Sequence, residues 1–296
     1  NHFVGLPHIF GSLGYETYFF HGGHEETMGF KRFTTHNGVK HYVGLEQYPY
    51  RDKDFDGTWG IWDEPFLSFF AKTLTESKKP FFAGIFTLSS HQPYAIPAKY
   101  QGKFPKGDLP IHEAIGYTDF ALKNFFEQIK DLPWYKNTLF VITADHVSLN
   151  SRKEYRNVSG KFRVPLIFFH PGRDLVFPSL DRVSQHVDIA PTILDLLNIS
   201  ECRLSLMGHS LLQDDVNAQY ALNRSGNLYR FIRKNYVIEW YPGQKVLAHK
   251  NLPELQKVFY PNLTLEQLKD VDLMSFLTQY YNQALNQDTL AESHCL

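Results

Sequence analysis

Two kinds of apolar spacing alternate along the chain. Over residues 112–131, Ile115, Phe120, Leu122, Phe125, Phe126 and Ile129 form a broad stripe at helical spacing. Phe66, Phe69, Phe70 and Leu74 repeat that spacing over 64–76. Phe81 to Leu88 is instead an unbroken apolar run between Pro80 and Ser89, which predicts a strand buried on both faces. Residues 138–144 and 164–169 are two more runs of this kind, and Thr17 to Phe20 is a shorter one that stops at His21-Gly22-Gly23. A short helix is predicted over 6–14, ending at Gly14 in the C′ position. Another is predicted over 188–197, with Asp188 as N-cap and Pro191 in its first turn. This rhythm of strand and helix predicts an α/β fold, a mostly parallel sheet sandwiched by helices. Residues 28–62 show little periodicity and read as a long ordered loop of the kind that usually carries function.

The pattern changes after about residue 215. Residues 220–222, 228–233, 236–240 and 245–247 predict short strands joined by turns at Ser225-Gly226-Asn227 and Pro242-Gly243, a small antiparallel meander. Helical spacing then runs over 264–290. The expected organisation is an α/β part over 1–215 and a C-terminal α+β appendage over 216–296, with no Pro/Ser-rich linker between them.

Composition narrows the possible functions. Lys and Arg number 30 against 31 Asp and Glu, a formal net charge of −1, so the chain lacks the global basic field of a nucleic-acid binder. A charged fraction of 21% beside 16% aromatic residues excludes intrinsic disorder. Two cysteines, Cys202 and Cys295, cannot build a disulfide framework. No apolar run approaches the roughly 20 residues of a membrane span, and no signal peptide opens the chain. The first residue is Asn1, so the sequence reads as a piece of something longer.

The segment richest in chemistry is Val141-Ile142-Thr143-Ala144-Asp145-His146. In open parallel sheets ligands bind at the carboxyl ends of strands, and here a carboxylate and an imidazole stand side by side at such an end. Both can reach one divalent cation; equally, Asp145 can cap the next element and His146 can be a loop histidine. His91 follows the strand over 81–88 and is either a contact for an anionic substrate or a solvated loop residue. The segment His21-Gly22-Gly23-His24-Glu25-Glu26 follows a third strand, and its paired glycines allow close backbone approach to a ligand or make an ordinary turn. Three histidines at three strand ends would converge on one edge. His186 reads as structural, and the 57–64 segment as a Trp-rich loop docked on the core that could line a pocket. Lys161 and Arg163 flank the strand over 164–169; solvated surface charge is the simpler reading, contact with phosphate or sulfate the other. No G-x-S-x-G, Walker A, G-x-G-x-x-G, H-E-x-x-H or C-x-x-C motif occurs.

Seven blocks in order carry a resemblance: Phe20-His21-Gly22, WGIWDEPF at 59–66, LSSHQPY at 88–94, YTDFAL at 117–122, WYKNTLFVITADH at 134–146, RVPLIFFHPG at 163–172 and VDIAPTILDLLNI at 187–199. Together they resemble the extracytoplasmic catalytic domain of lipoteichoic acid synthase-like proteins, within the sulfatase and alkaline phosphatase superfamily. The resemblance implies that a threonine alkoxide attacks phosphorus and forms a covalent intermediate, later passed to an acceptor hydroxyl or water. It implies one divalent ion, Mn2+ in the lipoteichoic acid synthases, with Zn2+, Ca2+ or Mg2+ as alternatives. Asp145 and His146 match two ligands of that ion, His91 a histidine at the substrate phosphate, and His21 a second one nearby.

Three departures matter. The tryptophan and arginine that accompany the second histidine in Gram-positive synthases fall near Met28 and Phe30. The family's glutamate ligand and nucleophilic threonine are expected upstream of this sequence, so residues 1–296 alone are expected to lack turnover and to bind metal weakly. The C-x-P-x-R signature of formylglycine sulfatases is also missing, since Cys202 is followed by Arg203-Leu204-Ser205. The implied substrate is an anionic lipid or glycan head group of the phosphatidylglycerol type. The implied setting is a periplasmic or extracellular domain anchored to the membrane by an N-terminal segment. Alternatives are a sulfatase, a phosphoethanolamine transferase, or a non-catalytic relative that binds anionic glycans or lipid head groups.

Overall fold

The computed structural model describes residues 4–199, 208–252 and 257–289; Cys202 and Cys295 lie outside them. The chain divides into two compact units, one of residues 5–140 with 169–174, the other of residues 141–168 with the described residues from 175 onward.

The first unit runs α1 (Leu6–Ser12), β1 (Glu16–His21), α2 (Phe30–His36), β2 (His41–Val43), α3 (Arg51–Asp54), α4 (Asp63–Glu76), β3 (Phe81–Phe86) and α5 (Ile111–Ile129). Its three strands form a parallel sheet in the order β2-β1-β3, with Phe20 of β1 opposite Val43 and Ile85. The two-residue alternation of a strand sends Tyr18 and Phe20 to one face and Thr17, Phe19 and His21 to the other. On the first face the Phe20 ring meets Phe66, Phe69 and Phe70 of α4, and Phe70 in turn meets Phe125 of α5. On the second face Phe10 of α1 stacks on Phe82, and Phe30 of α2 covers Phe19 and His21. Helices therefore flank this sheet on both faces, as the alternating pattern predicts.

One local expectation is corrected and a second refined. Residues 28–62 are not one loop: they hold α2, β2 and α3, which the pattern missed because elements of seven, three and four residues are too short to show a period. The run over 81–88 is covered on both faces but lies at the edge of its sheet. All six residues of β3 are half-buried, because β1 pairs with one flank of the strand and no described strand pairs with the other.

The second unit carries all but one end residue of each of β4 (Phe140–Thr143) and β5 (Leu166–Phe169), which pair with each other, then α6 (Ile189–Leu196). It continues with β6 (Ala221–Ser225), β7 (Leu228–Ile232), β8 (Tyr236–Trp240), β9 (Leu247–Lys250) and α7 (Leu265–Gln287). Strands β6 to β9 form the antiparallel meander in sequence order. One sheet face packs Phe231 and Ile238 against Met274 and Leu277 of α7. The other packs Ala221, Ile232 and Val237 against Val158, Phe162 and Val183. Helix α7 opens with a capping box, Thr264 Oγ1 accepting from the Gln267 N–H and Gln267 Oε1 from the Thr264 N–H. Arg233 grips Asp270 of α7 with Nε and Nη2 at 2.9 and 2.7 Å, and the Tyr236 hydroxyl donates to the same carboxylate.

Candidate active site

In the first unit the candidate residues stand at the carboxyl ends of two strands, His21 as the last residue of β1 and His91 on the turn beyond β3. The chain leaves β3 through Leu88, Ser89 and Ser90 to His91, and one buried carboxylate fixes that exit. Asp63, the first residue of α4, accepts the Leu88 and Ser89 N–H groups, each at 3.0 Å, and the Thr118 hydroxyl at 2.7 Å. The Ser89 hydroxyl oxygen accepts the Asp63 N–H in return. Burial raises the Asp63 pKa above the usual carboxylate value, while the hydrogen bonds its carboxylate accepts from Thr118, Ser89 and Leu88 oppose the shift.

His91 projects from this turn and is exposed. Its Nδ1–H donates to the Gln92 carbonyl at 3.0 Å, because a carbonyl only accepts, and Nε2 is left for a ligand. The Trp59 ring lies 4.0 Å from the His91 ring, and the indole N–H donates to the same Gln92 oxygen. Asp56 shapes the Trp59 loop by accepting the N–H groups of Thr58, Trp59 and Gly60. The loop then crosses the His21-Gly22-Gly23 turn, with the Ile61 N–H donating to the Gly22 carbonyl at 3.0 Å. Crossing at this distance requires glycine, since a Cβ at Gly60 would meet the Gly22 oxygen at 2.5 Å.

His21 stands differently. It is 1% exposed, packed between Phe30 and Phe86, and its Nδ1 has no hydrogen-bond partner. Burial lowers its pKa from 6.5 to about 4, so the ring is neutral at neutral pH. The unfolded chain takes up a proton at this residue between those two values and the folded chain does not. Stability is therefore expected to fall by up to about 3 kcal/mol as pH drops from 6.5 to 4. His21→Asn should remove that part of the acid limb, measured as urea unfolding against pH. An unchanged limb would show that His21 is charged in the fold. His24, three residues on, is exposed and pairs with Glu46 at 3.0 Å.

In the second unit, β4 ends at Thr143, whose hydroxyl donates to the Pro165 carbonyl. His186 Nε2–H donates to the Ala144 carbonyl at 2.8 Å, a structural part that matches its sequence reading. Beyond it stand Asp145 and His146, their side chains 52% and 70% exposed. Asp145 Oδ1 accepts the His146 N–H at 2.8 Å, and His146 Nδ1–H donates to the Val147 carbonyl at 2.7 Å. That fixes the tautomer: in the neutral ring His146 Nε2 carries a lone pair, and it lies 3.3 Å from Asp145 Oδ2. Two acceptors turned on one another attract a proton or a cation between them. The donor set, one carboxylate and one imidazole, fits a divalent ion. Among the described residues no group of three His, Cys, Asp or Glu side chains comes together, so an ion at this pair would find two protein ligands among them.

Asp188 corrects one detail. It occupies the N-cap position of α6, but its carboxylate accepts the Gln185 and His209 N–H groups instead of a helix N–H. Asp63, Asp56 and Thr118, which hold these turns, carry no local signal: an acidic residue at a helix start reads as a simple terminus, Asp56 as a loop residue and Thr118 as an ordinary helix position. For Asp63 the available signal was the resemblance of the WGIWDEPF block.

A family model described as Sulfatase matches residues 1–199. The chain is 29% identical over 200 residues to the lipoteichoic acid synthase-like protein YvgJ of Bacillus subtilis, covering 61% of this chain and 32% of that protein. It is 25% identical over 300 residues to lipoteichoic acid synthase 1 of the same organism, covering 93% of this chain and 46% of that one. The chain thus spans between a third and a half of the length of these curated relatives. A crystal structure of an alkaline phosphatase superfamily protein from Vibrio parahaemolyticus superposes with a TM-score of 0.81 at 22% identity, covering 98% of this chain and 70% of that one.

Proposed function

The chain belongs to the sulfatase family, in an alkaline phosphatase superfamily fold of the lipoteichoic acid synthase-like kind, and on that premise we propose that it is part of a phosphodiester head-group transferase or hydrolase. The observation that carries the reading is the facing pair of acceptors, Asp145 Oδ2 and His146 Nε2, 3.3 Å apart and open to solvent. The reaction proposed is phosphoglycerol transfer from a phosphatidylglycerol-like lipid. A hydroxyl oxygen forms a bond to phosphorus, the bond from phosphorus to the diacylglycerol oxygen breaks, and that oxygen leaves with a proton. An acceptor hydroxyl or water then displaces the first oxygen.

Asp145 and His146 would hold a divalent ion, Mn2+ before Zn2+, Ca2+ or Mg2+. Such an ion offsets charge on the phosphoryl oxygens and lowers the pKa of an attacking hydroxyl. His91, tied at Nδ1, presents Nε2 to accept or hold a proton at a phosphoryl or leaving oxygen, and Trp59 fixes the plane of its ring. His21, 1% exposed between Phe30 and Phe86, could touch substrate directly only if what covers it moved. Phe30, near where Gram-positive synthases carry an arginine, gives His21 an apolar cover.

The proposal places the nucleophilic threonine and a glutamate ligand outside residues 1–296, in keeping with the two-ligand set among the described residues. A membrane anchor would also lie outside them, with this chain on the outer side of the membrane. No helix among the described residues is long and apolar enough to cross a membrane. Vesicles containing phosphatidylglycerol provide the test. The protein carrying this chain with its native upstream region should release diacylglycerol in Mn2+, and residues 1–296 alone should not. Turnover by 1–296 alone, lost in His146→Ala, would show that the nucleophile lies within the chain.

A further inference from the structure

A second polar cluster lies in the second unit, on the sheet face that Phe162 covers. Arg230 of β7 and Glu239 of β8 are paired across the ladder, with Arg230 Nε donating to Glu239 Oε1 at 3.0 Å. They are 7% and 6% exposed. The Lys257 ammonium donates to the other Glu239 oxygen, and His249 of β9, 2% exposed, sets Nε2 3.8 Å from it. Lys161 approaches from the segment before β5, and its ammonium and the Arg230 guanidinium lie 5.6 and 5.8 Å from the Phe162 ring.

The charges do not balance. Three permanent cations, Lys161, Arg230 and Lys257, surround one carboxylate among the described residues. The Lys161 pKa is lowered, first by burial and then by Arg230, with Lys257 adding to the effect and Glu239 opposing it. Arg230 Nη1, a buried donor, has no hydrogen-bond partner; His249 Nε2 has none either, but with its Nδ1–H donating to the Lys250 carbonyl it is an acceptor and lends nothing to an anion. A buried guanidinium N–H without an acceptor is costly, and an oxyanion would satisfy it while offsetting the excess charge. The guanidinium fork and two ammonium groups suit the several acceptor oxygens of a tetrahedral anion.

We propose that Arg230, Lys161 and Lys257, on the face shared by β7, β8 and residues 157–162, form an anion site for a phosphate or sulfate group, made of residues other than Asp145, His146 and His91. Lys161 and Lys257 are exposed and form its outer wall, so the anion reaches Arg230 when they turn aside. The contact with phosphate or sulfate that the sequence left open for Lys161 would then be made here.

Calorimetric titration of the chain with inorganic phosphate and with phenyl phosphate tests the proposal, in a His91→Ala/Asp145→Ala background that silences the candidate active site. Saturable binding is expected, weakened about fivefold by Lys161→Met and again by Lys257→Met, the upper range for one partly exposed charge. Both lysines are exposed, so neither variant should unfold the chain. Binding of inorganic phosphate alone identifies the free ion as the ligand, and binding of both probes identifies a phosphate ester; either supports the site. Absence of saturable binding, or binding indifferent to both lysine substitutions, would overturn it. So would crystals grown in phosphate that show only a water bridging Arg230 Nη1 and His249 Nε2.

Discussion

Asp145→Ala, in the protein carrying this chain with its native upstream region, is expected to lower kcat/KM on a phosphodiester lipid by about three orders of magnitude, ~4 kcal/mol of transition-state stabilisation. The carboxylate is the charged member of the Asp145–His146 pair, and a site holding a divalent ion on few ligands loses most of its affinity when one goes. The loss should be specific to function. Asp145 is half-exposed and its one internal hydrogen bond is to the neighbouring His146 N–H, so the variant should unfold within about 0.5 kcal/mol of the parent. Asp145→Asn separates charge from geometry: it keeps an oxygen for that N–H but brings no negative charge to a cation. Its activity should lie near that of the alanine variant. Retention of more than a tenth of the parent activity in either variant would remove Asp145 from the site.

Asp63→Ala is expected to act through stability, with a loss of about 4 kcal/mol in denaturant unfolding. The substitution leaves the Leu88 and Ser89 N–H groups and the Thr118 hydroxyl without their acceptor in a buried place. Asp63→Asn should cost far less. Its amide oxygen can still accept both N–H groups, and the Thr118 hydroxyl can rotate to accept from the new NH2. The raised pKa gives a second signature. A carboxyl group that titrates higher folded than unfolded makes the fold lose stability as pH rises from the unfolded value through the folded one. Asp63→Asn should abolish that decline. Because Asp63 fixes the turn that presents His91, the alanine variant should also lose activity, and the asparagine variant should keep most of it. Equal destabilisation by both substitutions would contradict the acceptor role given to the carboxylate.

Long elements with a single period were legible in the sequence. The stripe at Phe120, Phe125 and Ile129 produced α5, and the apolar run ending at His21 produced β1. What escaped was short or depended on distant partners. Strand β2 has three residues and exists because β1 offers an edge with which to pair. The apolar run from Phe81 to Leu88 signals cover on both faces of β3 but not its place in the sheet, where one flank is unpaired among the described residues. The candidate site shows the same division. Asp145 and His146 stood out as adjacent donors at a strand end, and the structure adds the tautomer through the Val147 carbonyl. His21 stood out equally, and no local pattern disclosed that Phe30 and Phe86 would enclose it. Asp63 lies 25 residues before Leu88, which it holds, a pairing that only the folded chain reveals.

The central claim is that Asp145 and His146 hold a divalent cation for phosphoryl chemistry. The most direct measurement is anomalous scattering at the manganese edge, on crystals of the protein with its native upstream region grown in millimolar Mn2+. One peak is expected within about 2.3 Å of both an Asp145 carboxylate oxygen and His146 Nε2, absent from crystals of Asp145→Ala. A map with no ion beside these two side chains, from protein that still turns over its lipid substrate, would contradict it.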